Sequence, residues 1–190
     1  MNIINAIPVR IRRCFCLHDK ALVGVKKNNI LIGIHPGCDK ANIERRWLVK
    51  NFIELVKILT KNKNNKIIVF EGPDEEDILT NFENLDIIKG RNLSFKRLAA
   101  LINECDIMLT SDSGLGHIAA ALNIPTVTLF GPANPNQTRP YGNKGIVISK
   151  LDPNFYFDET KRKFLKVEGR KALEKINVND VLNAINKLIK

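Results

Sequence analysis

From Asn29 onward, short apolar runs rich in β-branched residues alternate with stretches whose apolar positions recur every three or four residues. The run ILIGI at 30–34 reads as a strand, and His35-Pro36-Gly37 turns the chain after it. Trp47, Phe52, Leu55, Val56 and Leu59 share one helical face, which ends in the polar stretch 61–65. KIIVF at 66–70 is the next strand, broken by Gly72-Pro73, and the acidic segment 74–82 reads as a short helix with its charges at the favourable end. A brief strand at 86–88 follows. Ser94 then caps a helix carrying Leu98, Leu101 and Ile102. DIMLT at 106–110 is a strand, 114–122 a helix, TVTL at 126–129 a strand, and 146–148 a last short strand. Residues 150–176 are polar and irregular, anchored by Phe155, Tyr156, Phe157 and Phe164. Val178, Val181, Leu182, Ile185, Leu188 and Ile189 make an amphipathic closing helix. It packs across the domain or, with Lys187 and Lys190 flanking it, lies on a membrane surface.

Strand and helix alternate about five times with short connections, the pattern of βα units around a parallel sheet. The fold class expected is α/β, a doubly wound, Rossmann-like parallel sheet over residues 30–190, with 1–29 an N-terminal extension or remnant. Ligands in such sheets lie outside the carboxyl ends of the strands. The loops after Ile34, Phe70, Thr110 and Leu129 are therefore the places to look for chemistry.

The chain has 190 residues, enough for one domain with a real core, and 44% of them are hydrophobic, which excludes a disordered chain. Lys or Asn interrupts every apolar run before it reaches the length of a membrane-spanning helix. The first twenty residues lack the uninterrupted apolar core of a secretory signal. Cys14, Cys16, Cys38 and Cys105 are too few and too scattered for a disulfide framework and read as reduced thiols of a cytoplasmic protein. The net charge of +10 sits at the two ends: 1–29 carry +5, 30–150 only +2 and 151–190 +3. Part of the excess goes with an Asn- and Lys-rich composition of 22 and 20 residues; otherwise it suits an anionic partner such as nucleotide phosphates or a lipid surface. With two Tyr and one Trp, and no aromatics interleaved with the bases, nucleic acid is not an expected partner.

The strongest local feature is Thr110-Ser111-Asp112-Ser113-Gly114-Leu115-Gly116-His117, a strand end, a small-residue turn and an immediate helix start. Free N–H groups and the positive dipole end make an anion site there; Ser113 adds a hydroxyl, and Gly114 and Gly116 admit a phosphate close to the backbone. Asp112 can accept from sugar hydroxyls. Plain helix capping by Asp112 or Ser113 is the competing reading, and His117 alone reads as a packed histidine. After the first strand come Arg45-Arg46-Trp47, two cations that oppose a following helix dipole unless an anion sits between them, or else a solvated pair. Glu71-Gly72-Pro73-Asp74-Glu75-Glu76 offers carboxylates for a ribose, or for capping. The fourth loop is Phe130-Gly131-Pro132-Ala133-Asn134-Pro135, with Arg139-Pro140-Tyr141-Gly142 beyond it. His, Cys and carboxylate residues show no metal-ligand spacing, and neither a Walker loop nor a GxGxxG is present. Together the loops suggest a nucleotide diphosphate-sugar.

The segments IGIHPGCD…RRW, VFEGPDEED, LAALINECDIMLTSDSGLGHIAAALNIPTVTLFGPANP and RPYG resemble the C-terminal, donor-binding domain of the lipopolysaccharide heptosyltransferase family, glycosyltransferase family 9. The resemblance implies one half of a two-domain GT-B glycosyltransferase that inverts the anomeric centre without a metal or other cofactor. It implies ADP-heptose as donor and a lipid-linked core oligosaccharide as acceptor. It places Ser113, Gly114, Leu115 and His117 at the diphosphate, Asp112 at the donor sugar, Arg45 at the phosphates and Glu75 at the ribose. The family's N-terminal domain supplies the acceptor cleft and an acidic base near a glycine-aspartate loop. This sequence contains no Gly-Asp pair, and AIPVRIRR at 6–13 resembles only a late segment of that domain, as in a truncated or internally deleted chain. No catalytic base is therefore assigned.

Three expectations remain open at this level. The chain is the donor-binding half of a glycosyltransferase, inactive alone or completed by a separate chain; or a working transferase whose acceptor site forms on oligomerisation; or a nucleotide-sugar-binding or scaffolding module without catalysis. The resemblance places it in the cytoplasm, with peripheral attachment to the inner membrane face as a further expectation.

Overall fold

The computed structural model describes residues 25, 28–72, 75, 78–142 and 144–189. Six strands form one parallel sheet: β1 (Ile30–His35), β2 (Asn65–Phe70), β3 (Ile88–Gly90), β4 (Ile107–Ser111), β5 (Thr126–Phe130) and β6 (Gly145–Ser149). Their spatial order is β3-β2-β1-β4-β5-β6, every neighbouring pair parallel. This is the doubly wound order, which reverses direction between β1 and β4.

Alternation along each strand feeds two apolar layers. Ile32, Ile34, Ile67, Val69, Ile107, Leu109, Val127 and Leu129 face one side. There they meet Phe52, Leu55, Val56 and Leu59 of α1 (Val49–Leu59) and Val178, Val181, Ala184 and Ile185 of α8 (Val178–Leu188). Leu31, Ile68, Phe70 and Met108 face the other side, against Leu101 and Ile102 of α2 (Phe95–Glu104) and Ala119 of α3 (Gly114–Ala121). Gly33 falls on this second face, where a Cβ would lie 2.1 Å from the Met108 sulfur. Burial on both faces is why the strands read as continuous apolar runs.

The expected elements are present with shifted ends and several corrections. Ser94 caps α2 by accepting from the Arg97 N–H. Trp47, expected on the face of α1, precedes that helix, which starts after extended Leu48; the indole reaches the same core and donates from Nε1 to the Ile176 carbonyl at 2.9 Å. Of the helix expected over 74–82, the structure shows a 3-10 turn, Leu79–Phe82, while 73, 74, 76 and 77 lie outside the described residues. The strand expected at 86–88 sits at Ile88–Gly90, where bare Gly90 passes the Phe70 ring; a Cβ would lie 2.8 Å from it.

The larger correction concerns 150–176. Beyond the one-turn α4 (Pro135–Thr138), this segment is helical, with α5 (Asn154–Phe157), α6 (Glu159–Arg162) and α7 (Leu165–Glu174). Helix α7 exists through tertiary packing rather than through its own pattern. Gly169 seats on Pro132, Leu173 meets Gly131, and Ala172 and Leu173 are buried. The closing helix α8 buries its apolar face on α1 and on β4, β5 and β6, so packing and not a membrane surface accounts for its amphipathic pattern. Its start carries a capping box between Asn177 and Asp180. Among the described residues no helix is long and apolar enough to cross a membrane. Cys14, Cys16 and the segment 6–13 lie outside the described residues, while Cys38 and Cys105 are buried.

Candidate functional site

At the reversal point, the carboxyl ends of β1, β2 and β4 open into a cavity of about 330 Å³. His35, Cys38, Asp39, Asn42 and Arg45 line it from the loop after β1, Gly72 and Glu75 from the loop after β2, and Asp112, Ser113, Gly114 and Leu115 from the β4–α3 turn. Six of the seven expected site residues, all but His117, thus share one cavity. His117 is exposed one turn into α3, close enough for its charge to act on Asp112.

The β4–α3 turn is held from below. Ser111 donates to the Pro36 carbonyl at 3.1 Å, fastening the end of β4 to the loop after β1. Ser113 is the N-cap residue, with extended backbone, yet its side chain makes no capping bond and instead meets His35 Nδ1 at 2.9 Å. The simple capping reading therefore fails at Ser113, and the first N–H groups of α3 face the cavity without a side-chain acceptor at the cap. Gly114 is exposed, and a Cβ there would meet nothing within 4 Å. Gly116, expected beside the phosphate, instead passes under the sheet, where a Cβ would lie 2.8 Å from Thr110 Oγ1 and 3.3 Å from Pro140.

Arg45 and Arg46 end a 3-10 turn, Lys40–Arg45, whose start is capped by Asp39. They are not a solvated pair. Arg45 Nη1 lies 3.3 Å from Asp112 Oδ2, and Arg46 donates to the Cys38 carbonyl. Helix α7 braces this turn from outside through Lys166 to Glu44 at 3.0 Å and Arg170 Nη1 to the Arg46 carbonyl at 2.8 Å.

Two carboxylates in the site are set apart by their surroundings. Asp112 is 7% exposed; burial pushes its carboxyl above the usual range despite the opposing pull of Arg45 and His117. Glu75 is 6% exposed, and burial pushes it up as well. Hydrogen bonding and charge from His35, the Gly72 N–H at 2.9 Å and the charge of Arg46 outweigh burial and hold it below the usual range. Gly37 and Gly72 make room for this carboxylate; at Gly37 a Cβ would sit about 2 Å from it. The Cys38 thiol is raised by burial, opposed by Arg46, and bonds the Asn42 carbonyl.

The fourth loop does not join the cavity. Gly131 and Pro132 lie under α7, and Tyr156 ties the loop to α5 by donating to the Ala133 carbonyl at 3.0 Å. Pro140, Tyr141 and Gly142 border a separate small hollow beside β5 and β6. His35 is the residue to which the sequence alone gave no role: it is 3% exposed and touches both Glu75 and Ser113. A lone polar ring at the end of a central, otherwise apolar strand was the available signal.

The profile of glycosyltransferase family 9 (heptosyltransferase) matches residues 13–165. A lipopolysaccharide core heptosyltransferase of Haemophilus influenzae is 28% identical over 179 residues, covering 87% of this chain and 50% of its own. Lipopolysaccharide heptosyltransferase 2 of Salmonella typhimurium is 35% identical over 126 residues, 62% of this chain and 36% of its own. Among solved structures, a family 9 glycosyl transferase from Veillonella parvula superposes with a TM-score of 0.77 at 28% identity, over 96% of this chain and 52% of that one. The chain thus spans about half the length of these relatives, or less, and its fold corresponds to one half of a GT-B glycosyltransferase. On the match to more than half of its residues, with the relatives in agreement, the chain belongs to glycosyltransferase family 9, the heptosyltransferases.

Proposed function

We propose that this chain holds the sugar-nucleotide donor of a heptosyl transfer to a lipopolysaccharide core acceptor, with residues 30–190 as the donor-binding unit. The observation that carries this reading is the convergence of Arg45 and the uncapped start of α3 on one cavity at the reversal point of the sheet. The diphosphate lies at the N–H groups of Ser113, Gly114 and Leu115, under Arg45 and within reach of His117. Glu75 keeps Oε1 outside its bonds to His35 and Gly72, and that oxygen accepts from the ribose. Asp112 faces the donor sugar.

Transfer breaks the bond between the anomeric carbon and the β-phosphate oxygen, leaving the electron pair on the nucleotide. Fixed donors at that oxygen, already oriented before reaction, stabilise the developing charge. The acceptor and its base belong to a surface outside residues 30–190. The resemblance of the sequence motifs to those of heptosyltransferases favours ADP as the nucleotide. The reading places the protein on the cytoplasmic face of the inner membrane; exposed Phe157 and Phe164, with Lys163 over the Phe164 ring, support peripheral attachment there.

Calorimetric titration with ADP, UDP and GDP tests the donor site. ADP is expected to bind selectively, with affinity lowered about tenfold or more in Arg45→Ala, since a charge-assisted bond contributes about 1.5–3 kcal/mol. Asp112→Ala weakens binding of the sugar-bearing donor. Gly114→Val leaves the fold intact, because its side chain enters open space, and blocks the phosphate. ADP affinity unaltered in Gly114→Val would remove the α3 start from the site.

A further inference from the structure

His35 has both ring nitrogens engaged while only 3% exposed: Nε2 at 3.0 Å from Glu75 Oε2 and Nδ1 at 2.9 Å from Ser113 Oγ. Hydrogen-bond accounting leaves few arrangements. An ionised carboxylate only accepts, so Nε2 carries a proton. Ionisation of Glu75 is itself favoured, because its carboxyl is held below the usual range. Nδ1 then has two states. In the neutral ring it accepts, and the one hydrogen of the Ser113 hydroxyl is committed to it. In the imidazolium Nδ1 donates to Oγ, and the hydroxyl hydrogen is free to turn toward the cavity.

These two states present different faces to an anion at the start of α3. With a neutral ring, Ser113 offers the phosphate only lone pairs, which repel it. With a charged ring, it offers a donor, backed by a positive charge one bond further in. We infer that Glu75, His35 and Ser113 form a proton-linked switch: binding of a nucleoside diphosphate places one proton on His35 and turns the Ser113 hydroxyl onto the phosphate. The inference rests on the donor-site reading above. Ser113 touches the ligand, whereas His35 and Glu75 are positioning residues that act through it.

Charged groups of both signs surround His35. Glu75 and Asp112 favour the imidazolium; Arg45 and Arg46, from the 3-10 turn, oppose it. Cys38 is kept neutral by its raised thiol, and His117 stands exposed on α3. A bound diphosphate adds negative charge and tips the balance toward proton uptake. Linkage gives the sign: His35 binds its proton more tightly in the complex, so affinity falls as pH rises between its values in the free and bound states. The slope is at most about tenfold in Kd per pH unit for one proton.

The test is calorimetric titration of the full chain with ADP-glucose, whose phosphates do not titrate near neutrality, in buffers of different ionisation enthalpy over about pH 6–8.5. Uptake rising toward one proton per bound ligand is expected, abolished in Ser113→Ala and His35→Gln. A second readout needs no variant: the ¹⁵N resonance of His35 Nδ1 is expected to move from an acceptor to a protonated position on adding ADP-glucose. Binding without proton uptake, uptake that persists in His35→Gln, or an unmoved Nδ1 resonance each overturn the switch and leave the donor site standing. Absence of binding by ADP-glucose and by ADP alike at every pH overturns the donor site, and the switch with it.

Discussion

Asp112 and Glu75 lie in the same cavity, yet their protonation equilibria are displaced in opposite directions. For Asp112 the raised carboxyl means that the ionised form costs the folded state. That cost is absent below the ordinary value of 3.8 and sets in as pH rises through the raised one. Glu75 has the reverse sign: its contribution is present above 4.5 and is lost as pH falls through the lowered value. Asp112→Asn should therefore raise stability at pH 7, by up to about 1 kcal/mol, with the gain closing below about pH 4. Denaturant unfolding of both proteins across this range checks it. A variant less stable than the parent at pH 7 would mean that the Arg45 pairing outweighs the burial of Asp112. Such a residue is kept at some expense to the fold, as a site poised for a ligand is. The Asp112-Ser113-Gly114 turn was legible from sequence because strand end, small residues and helix start adjoin. His35 was not, because its partners stand 40 and 78 positions away and no local pattern joins them.

Among the elements, the strands were read nearly to their ends, since burial on both faces writes itself as unbroken β-branched runs. Helices α5 to α7 were not, and α7 shows the physical reason. Its polar stretch carries few apolar positions, and what fixes it is the approach of one glycine to the Gly131–Pro132 turn. At Gly169 a Cβ would lie 2.4 Å from Pro132 backbone atoms, which cannot swing aside. Gly169→Ala should thus destabilise the protein by roughly 1–3 kcal/mol, although alanine is the better helix former by about 1 kcal/mol. The same change should weaken donor binding, because α7 carries the Lys166 and Arg170 braces of the Arg45 turn. Thermal unfolding and nucleotide titration of this one variant read both effects; an unchanged or raised midpoint would show that α7 does not depend on this contact.

For the molecule as a whole, charge and shape separate. The sheet carries a nearly neutral sequence, while the basic excess lies at the ends, and after β6 it is joined by Phe157 and Phe164, which are 71% and 51% exposed. Exposed aromatic side chains beside a basic excess suit an anionic lipid interface. Co-sedimentation with vesicles containing anionic lipid is expected, weakening as salt rises and falling in Phe157→Asp/Phe164→Asp, with neutral vesicles left unbound. Equal binding to neutral and anionic vesicles would detach the basic excess from the membrane.

The single tryptophan gives the protein its own optical probe. Trp47 is 1% exposed, edge-on to Phe52 with centroids 4.9 Å apart, and its indole N–H reaches Ile176 in the joint between α7 and α8. Its emission comes from one environment, without other indoles to average over. Undocking of the last two helices would expose it to water and shift that emission to the red before the sheet gives way, whereas loss of the sheet as one unit would move emission and circular dichroism together. The order in which this unit comes apart can therefore be read by light alone, without a label.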